Sequence, residues 1–281
     1  MKTYGTIAAF RAALDDERRR GRSVGLVPTM GFLHQGHRSL MDAAMRANDV
    51  CALTIFVNPL QFAPSEDLSS YPRDLARDLA MATDAGITHV FTPSTDEMYG
   101  APVVTTVSVA GVSATLEGAS RPTHFAGVAT VVAKLFSIAG PCRAYFGEKD
   151  FQQLAVVRAM VRDLSMPVEV MGCTTVREPD GLAMSSRNVN LSSAERAAAP
   201  VLHRALVAGR DALESGVRDA AGVRAAMERV VAQEPHATLD YVAVVDAATF
   251  DVPEPLAGEL RLLIAVRFAR ARLIDNIGAH A

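Results

Sequence analysis

The stretch Val24-Gly25-Leu26-Val27-Pro28-Thr29-Met30-Gly31-Phe32-Leu33-His34-Gln35-Gly36-His37 joins a short apolar run to a turn holding two glycines and two histidines. Residues 24–27 have the length and apolarity of a buried parallel strand. Beyond His37, Arg38-Ser39-Leu40-Met41-Asp42-Ala43-Ala44-Met45-Arg46-Ala47 carries apolar residues at helical spacing. The histidines and glycines therefore sit on a strand-to-helix turn. An open α/β sheet places nucleotide phosphates there, because a helix N-terminus presents unpaired N–H groups. Gly31 and Gly36 have no Cβ and let the backbone approach a phosphate. His34 and His37 can hydrogen-bond to phosphate oxygens and can carry charge near neutral pH.

Composition alone gives about 0.01 chance occurrences of His-x-Gly-His in a chain of this length, so the pattern is signal. Two other readings of the same residues are solvated loop histidines and a zinc pair. The zinc reading lacks a Cys or carboxylate close in sequence to complete a ligand set.

With 281 residues the chain suits one large or two modest domains, and 49% apolar and 21% charged residues are those of a soluble globular protein. A net charge of −3 gives no long-range field for nucleic acid or an anionic membrane. Anionic ligands must be held by local positive charge. No apolar run reaches the ~20 residues of a membrane span; Lys134 and Arg267 interrupt the longest ones. The N-terminus lacks a signal-peptide core and soon reaches Asp15-Asp16-Glu17-Arg18-Arg19-Arg20. Cys51, Cys142 and Cys173 form no metal pattern and suit buried thiols in a reducing cytosol, so a cytoplasmic location is expected.

Strand and helix signals alternate through the first two-thirds. Strands are expected at 24–27, 50–57, 87–91, 103–109, 143–146 and 168–171, and helices at 38–47, 73–85, 125–138 and 150–163. This alternation predicts an α/β, Rossmann-like, doubly wound parallel sheet. After residue 176 the style changes. Ser192-Ser193-Ala194-Glu195 is a capping box that opens a long Ala-rich helix, and a second helix spans 219–234. Strands at 240–246, 259–268 and 272–277 follow, giving a smaller α+β domain. The turn cluster Glu178-Pro179-Asp180-Gly181 marks the junction, so the expected domains are 1–176 and 177–281.

Four further segments carry polar residues at strand ends or turns. Asn58 and Gln61, in Phe56-Val57-Asn58-Pro59-Leu60-Gln61-Phe62, lie at a carboxyl edge of the sheet, the usual ligand side. A loop with Glu66 and Asp67 leads to Tyr71-Pro72-Arg73. Arg121 and His124, in Arg121-Pro122-Thr123-His124-Phe125-Ala126-Gly127, stand at a helix N-terminus, which favours anions. In Phe146-Gly147-Glu148-Lys149-Asp150-Phe151-Gln152-Gln153 a strand runs into Gly147 and a helix starts near Asp150. Lys149 directs its ammonium at that helix end, Asp150 caps it or binds ribose, and Gln153 reaches a polar substrate. Gly181-Leu182-Ala183-Met184-Ser185-Ser186-Arg187-Asn188 reads as a mobile loop whose hydroxyls and guanidinium suit a triphosphate.

In order and spacing these segments resemble the pantothenate synthetase family of the His-x-Gly-His nucleotidyltransferase superfamily, over nearly the whole chain. The 183–187 segment is similar to the superfamily's Lys-Met-Ser-Lys-Ser loop, with Ala183 where a Lys would be and Arg187 supplying the charge. The resemblance implies a ligase that condenses pantoate with β-alanine through a pantoyl adenylate. ATP is cleaved to AMP and pyrophosphate, and the product is a coenzyme A precursor. It implies ATP binding by Met30, Gly31, Phe32, Leu33, His34, Gln35, Gly36, His37, Gly147, Glu148, Lys149, Asp150, Val176, Met184, Ser185, Ser186 and Arg187. Catalytic roles fall to His34, His37, Lys149 and Arg187. Gln61 and Gln153 would bind pantoate, and Gln61 β-alanine. Mg²⁺ would arrive on the ATP phosphates, with no protein ligand assigned. The family also implies a homodimer and a second domain that closes over ATP.

Three rival readings are a cytidylyl- or adenylyltransferase, an ATP-binding regulatory protein, and a tRNA-charging fragment. A transferase keeps the nucleotide in its product, whereas a ligase releases AMP. A regulatory protein leaves the paired glutamines unexplained. A tRNA-charging fragment lacks a basic anticodon-reading extension.

Overall fold

In the computed structural model, which describes residues 1–63, 68–69 and 71–281, the apolar runs become the strands of two sheets. The carboxylates Glu66 and Asp67 lie outside the described residues. In chain order the elements are β1 (Lys2–Tyr4), α1 (Ile7–Arg19), β2 (Val24–Thr29), α2 (Gln35–Ala47), β3 (Val50–Ile55), α3 (Leu75–Asp84), β4 (His89–Phe91), α4 (Thr95–Tyr99), α5 (Glu117–Ser120), α6 (His124–Ala139), β5 (Cys142–Gly147), α7 (Phe151–Asp163) and β6 (Val168–Cys173). They continue with α8 (Ser193–Ala198), α9 (Val201–Glu214), α10 (Ala220–Val231), β7 (Thr238–Asp246), β8 (Glu259–Arg267) and β9 (Arg272–His280). Two compact units result: one of Met1–Glu148 and Gln152–Thr174, the other of Lys149–Phe151 and Thr175–Ala281.

The first unit holds a parallel sheet in the order β1-β4-β3-β2-β5-β6. Period-two alternation splits its core between two faces. Val24, Leu26, Val50 and Ala52 pack with α1, α6 and α7, while Val27, Cys51 and Leu53 pack with Leu40, Met41 and Ala44 of α2 and Ala82 of α3. This is the doubly wound sheet the alternation predicts. Strand order reverses between β2 and β5, so the loops after these two strands flank the topological switch point.

The strand expected at 103–109 does not form. Val104 is 93% exposed, and the Val107 N–H donates to Thr130 Oγ1 at 2.9 Å rather than to a neighbouring strand. β-branched residues favour an extended chain, but a strand needs a paired edge.

The second unit carries the antiparallel sheet β7-β8-β9. Val201, Leu202, Ala205, Leu206 and Leu213 form one face of α9, and with α10 they cover Leu260, Leu262, Ile264 and Val266. The capping box at Ser192 forms as expected, with Glu195 bonded back to the Ser192 N–H. The Ala-rich helix it opens is nevertheless two helices, α8 and α9, broken at Pro200, which has no N–H to continue the ladder.

Candidate active site

The turn after β2 is built around a buried carboxylate. Gly31 has φ +85°, and a Cβ there would lie 2.9 Å from Asp78 Oδ2 and 3.0 Å from Ile55 Cγ2, so conformation and space both require glycine. Phe32 also takes a left-handed conformation, φ 49°, which a bulky residue adopts only when held. Asp78 of α3 holds it: Phe32 N donates to Oδ2 at 2.8 Å and Leu33 N to Oδ1 at 2.7 Å. The Arg77 guanidinium lies 5.2 Å from the Phe32 ring centre, and Leu33 is fully buried. Burial pushes the Asp78 carboxyl above its ordinary range, with the two N–H groups opposing.

The same turn starts α2 with a capping box made of imidazoles. His34 Nδ1 accepts from Gly36 N at 3.1 Å, and His37 Nδ1 accepts from His34 N at 3.3 Å. The ring centres are 4.1 Å apart. A backbone N–H can only donate, so both Nδ1 atoms carry lone pairs and each neutral ring has its proton on Nε2. One pair of side chains thus closes the helix end, with the proton of each ring on Nε2.

Gln61 ends a short 3₁₀ turn, Pro59–Gln61, and its amide is oriented by neighbours. Asn58 Nδ2 donates to Gln61 Oε1 at 3.1 Å and to Gly127 O at 3.1 Å, while Asn58 Oδ1 accepts from Tyr99 Oη at 2.8 Å. Burial pushes the Tyr99 phenol up to about 12, so it remains a donor. Gln61 Nε2 then reaches Met30 Sδ at 3.1 Å, which joins two motifs far apart in sequence. Arg121 and His124, at the N-terminus of α6, both meet the Gln61 carbonyl, at 3.3 and 3.0 Å.

Gly147 ends β5, which pairs with β2 through Gly25–Arg143 and Leu26–Ala144, and Glu148 follows it. Gln153 is half-buried on α7. Its neighbour Gln152 is structural: its amide donates to Val112 O and Thr115 O at 2.7 and 2.8 Å.

In the second unit, Lys149 is largely buried with its ammonium 3.6 Å from Asp150 Oδ1. Val176 and Met184 belong to a tight hairpin in which Met184 N donates to Val176 O at 3.0 Å and Glu178 N to Leu182 O at 2.8 Å. The segment read as a mobile loop is therefore a bonded hairpin. It runs into a 3₁₀ turn, Ser186–Asn190, capped by Ser185, whose Oγ accepts from Arg187 N at 3.3 Å. Ala183 is 3% exposed, which explains a small residue where a Lys would have to bury its ammonium. No group of three or more His, Cys, Asp or Glu side chains is placed to hold a metal among the described residues.

Asp78, Tyr99 and the pair Asp275-Asn276 were not singled out by the motifs. Asp78 reads in sequence as an ordinary first-turn acid complementing a helix dipole. The others act through contacts 41 or more residues away.

A parallel sheet with a histidine-capped, glycine-strained turn at its switch point defines a nucleotide-binding α/β enzyme of the His-x-Gly-His class. A model of the pantoate-beta-alanine ligase family matches residues 2–278. The pantothenate synthetase of Moorella thermoacetica is 52% identical over 277 residues, 99% of this chain and 98% of its own. That of Rhizobium meliloti is 52% identical over 98% of this chain and 95% of its own. The solved pantothenate synthetase of Thermus thermophilus has a TM-score of 0.94 at 50% identity, covering 99% of both chains. A Francisella tularensis pantoate-beta-alanine ligase, complexed with beta-gamma ATP and beta-alanine, has a TM-score of 0.82 at 30% identity, covering 99% of this chain and 97% of its own. The chain belongs to the pantoate–β-alanine ligase family and is a ligase.

Proposed function

We propose that this chain joins pantoate to β-alanine in two steps at the site built on the His34–His37 turn. ATP is a substrate. In the first step the pantoate carboxylate attacks the α-phosphorus; an O–P bond forms, the bond to the leaving phosphate breaks, and pyrophosphate departs. In the second, the β-alanine amine attacks the acyl carbon, forms the C–N bond, loses a proton to water and expels AMP with the C–O electron pair. Supply of a coenzyme A precursor follows from that product.

The observation that carries this reading is the double imidazole cap, which holds both rings on the first turn of α2, the kind of helix end at which α/β sheets bind phosphates. The first step brings two anions together, so the site must stabilise charge that peaks in the transition state. A well-placed donor contributes about 3 kcal/mol to such a step. With Nδ1 engaged in the cap, His37 acts through its Nε2–H, and charge stabilisation needs no proton transfer. The proposed ATP ligands of the first unit are residues 30–37, Gly147 and Glu148; those of the second are Lys149, Asp150, Val176, Met184, Ser185, Ser186 and Arg187. Lys149 and Arg187 supply the positive charge. Gln61, its amide fixed by Asn58, and Gln153 hydrogen-bond pantoate without adding charge, and Gln61 also meets β-alanine.

Mg²⁺ is proposed to arrive on ATP. The turn's donors are N–H groups that suit phosphate oxygens and not a cation, so the phosphates would supply its oxygen ligands, and the ion would screen their charge from the approaching carboxylate. A cytoplasmic homodimer completes the proposal, supported by the family resemblance.

The test is AMP and pyrophosphate release from ATP and Mg²⁺ with each combination of pantoate and β-alanine. Steady AMP release that needs both substrates is expected. Pyrophosphate release without pantoate, or none in any mixture, would remove the assignment.

A further inference from the structure

The strand β9 places two buried polar residues, Asp275 and Asn276, each 3% exposed, where an apolar pair would be expected. Their bonds converge on the backbone of the two cation-bearing segments. Asn276 Nδ2 donates to the Lys149 carbonyl at 2.7 Å. Its other amide atom, Oδ1, accepts from Arg261 Nε at 2.7 Å, and the Arg261 guanidinium lies 3.9 Å from the centre of the Phe151 ring. A flipped amide would set oxygen against the Lys149 carbonyl and NH₂ against a guanidinium, so only one orientation fits. Phe151 in turn stacks on Phe250 at 5.7 Å. This packing is why Lys149–Phe151 cluster with the second unit.

Asp275 does the same for the hairpin. Its two oxygens take Arg177 Nη1 at 2.6 Å and Nη2 at 3.0 Å, a bidentate pair. The same guanidinium donates to Gly181 O at 3.0 Å and to Asn276 O at 3.2 Å. Arg177 also bridges to Ala183 in the hairpin that leads to Ser185 and Arg187.

We propose that Asn276 is a positioning residue for ATP cleavage that sets the Lys149 peptide; beside it, Asp275 holds Arg177 of the hairpin that leads to Arg187. The inference rests on the reading of Lys149 and Arg187 as phosphate ligands. A set framework holds each cation where charge develops, so it acts on the transition state without touching substrate.

A double-mutant cycle separates this from plain structural support. The rate of pyrophosphate release against ATP concentration is measured for wild type, Asn276→Ala, Lys149→Ala and the double variant. Asn276→Ala is expected to lower kcat/KM for ATP by about tenfold, and to lower it by less than about twofold when Lys149 is already absent. A loss of equal size in both backgrounds, or none in the wild-type background, overturns the proposal. If Asn276→Ala does not fold, the cycle is run with Arg261→Met, which leaves Asn276 in place but releases its amide, and the same two outcomes decide. Lys149→Ala with wild-type activity would instead overturn the reading of Lys149 as a phosphate ligand, and this proposal with it.

Discussion

At the scale of single residues, a carboxylate is an unexpected choice beside the turn proposed to hold the ATP phosphates. Asp78 is tolerable there because both oxygens are engaged by backbone N–H groups of Phe32 and Leu33, so its charge is turned into loop geometry. An amide has only one acceptor atom. Asp78→Asn therefore leaves one of the two N–H groups facing an NH₂, at a cost of about 1–3 kcal/mol. Because the strained Phe32 conformation depends on that grip, KM for ATP is expected to rise by about tenfold or more. Steady-state pyrophosphate release against ATP concentration checks this, and an unchanged KM would mean that the turn holds its shape without Asp78. The motif residues Gly31, His34 and His37 are legible in the sequence because they stand close together on one strand-to-helix turn. Asp78 is not, because an acid early in a helix is common and its partners lie 46 and 45 residues away.

At the scale of elements, the contact between α6 and the 3₁₀ turn Pro59–Gln61 shapes the proposed pantoate position. Gly127 is the closest approach: a Cβ there would sit 2.2 Å from Leu60 O and 2.6 Å from Gln61 N. The Gly127 carbonyl also receives the Asn58 amide that fixes Gln61. Gly127→Ala forces helix and turn apart. Overpacking of this kind costs about 1–3 kcal/mol, so the denaturant midpoint falls and KM for pantoate rises while KM for ATP changes little. Equal rises in both KM values would contradict the assignment of Gln61 to pantoate. In sequence Gly127 reads only as an interruption of an apolar helix, since the backbone it approaches comes from another element.

At the scale of the whole chain, pH acts through the half-buried His203 and the buried His89. Burial pushes His203 below its ordinary value of 6.5, with Arg177 adding to the effect; its Nδ1 has no hydrogen-bond partner among the described residues. Burial also lowers His89, against the pull of Glu17. A histidine held neutral in the folded chain is protonated first in the unfolded chain. Its stabilising contribution is therefore complete above the unfolded value of 6.5 and is lost as pH falls from there toward the folded value. Denaturant midpoints are expected to drop as pH falls below about 6.5, and His203→Gln should flatten that drop. A variant as pH-sensitive as wild type would show that His203 does not contribute. Cys51 and Cys142, whose thiols burial pushes up to about 12, stay protonated throughout this range.

The alternation of strands and helices, the doubly wound sheet and the turn at its carboxyl edge are readable from linear pattern, because periodicity and glycine placement are local properties. So is the family, whose motifs are short and contiguous. Packing in three dimensions leaves the 103–109 run with no strand to pair with, brings Arg121 and His124 to the Gln61 carbonyl, and sets Asp78, Tyr99 and Asn276 against the motif segments. Those roles depend on which distant backbone groups lie within hydrogen-bond reach, and a linear pattern carries no record of that distance.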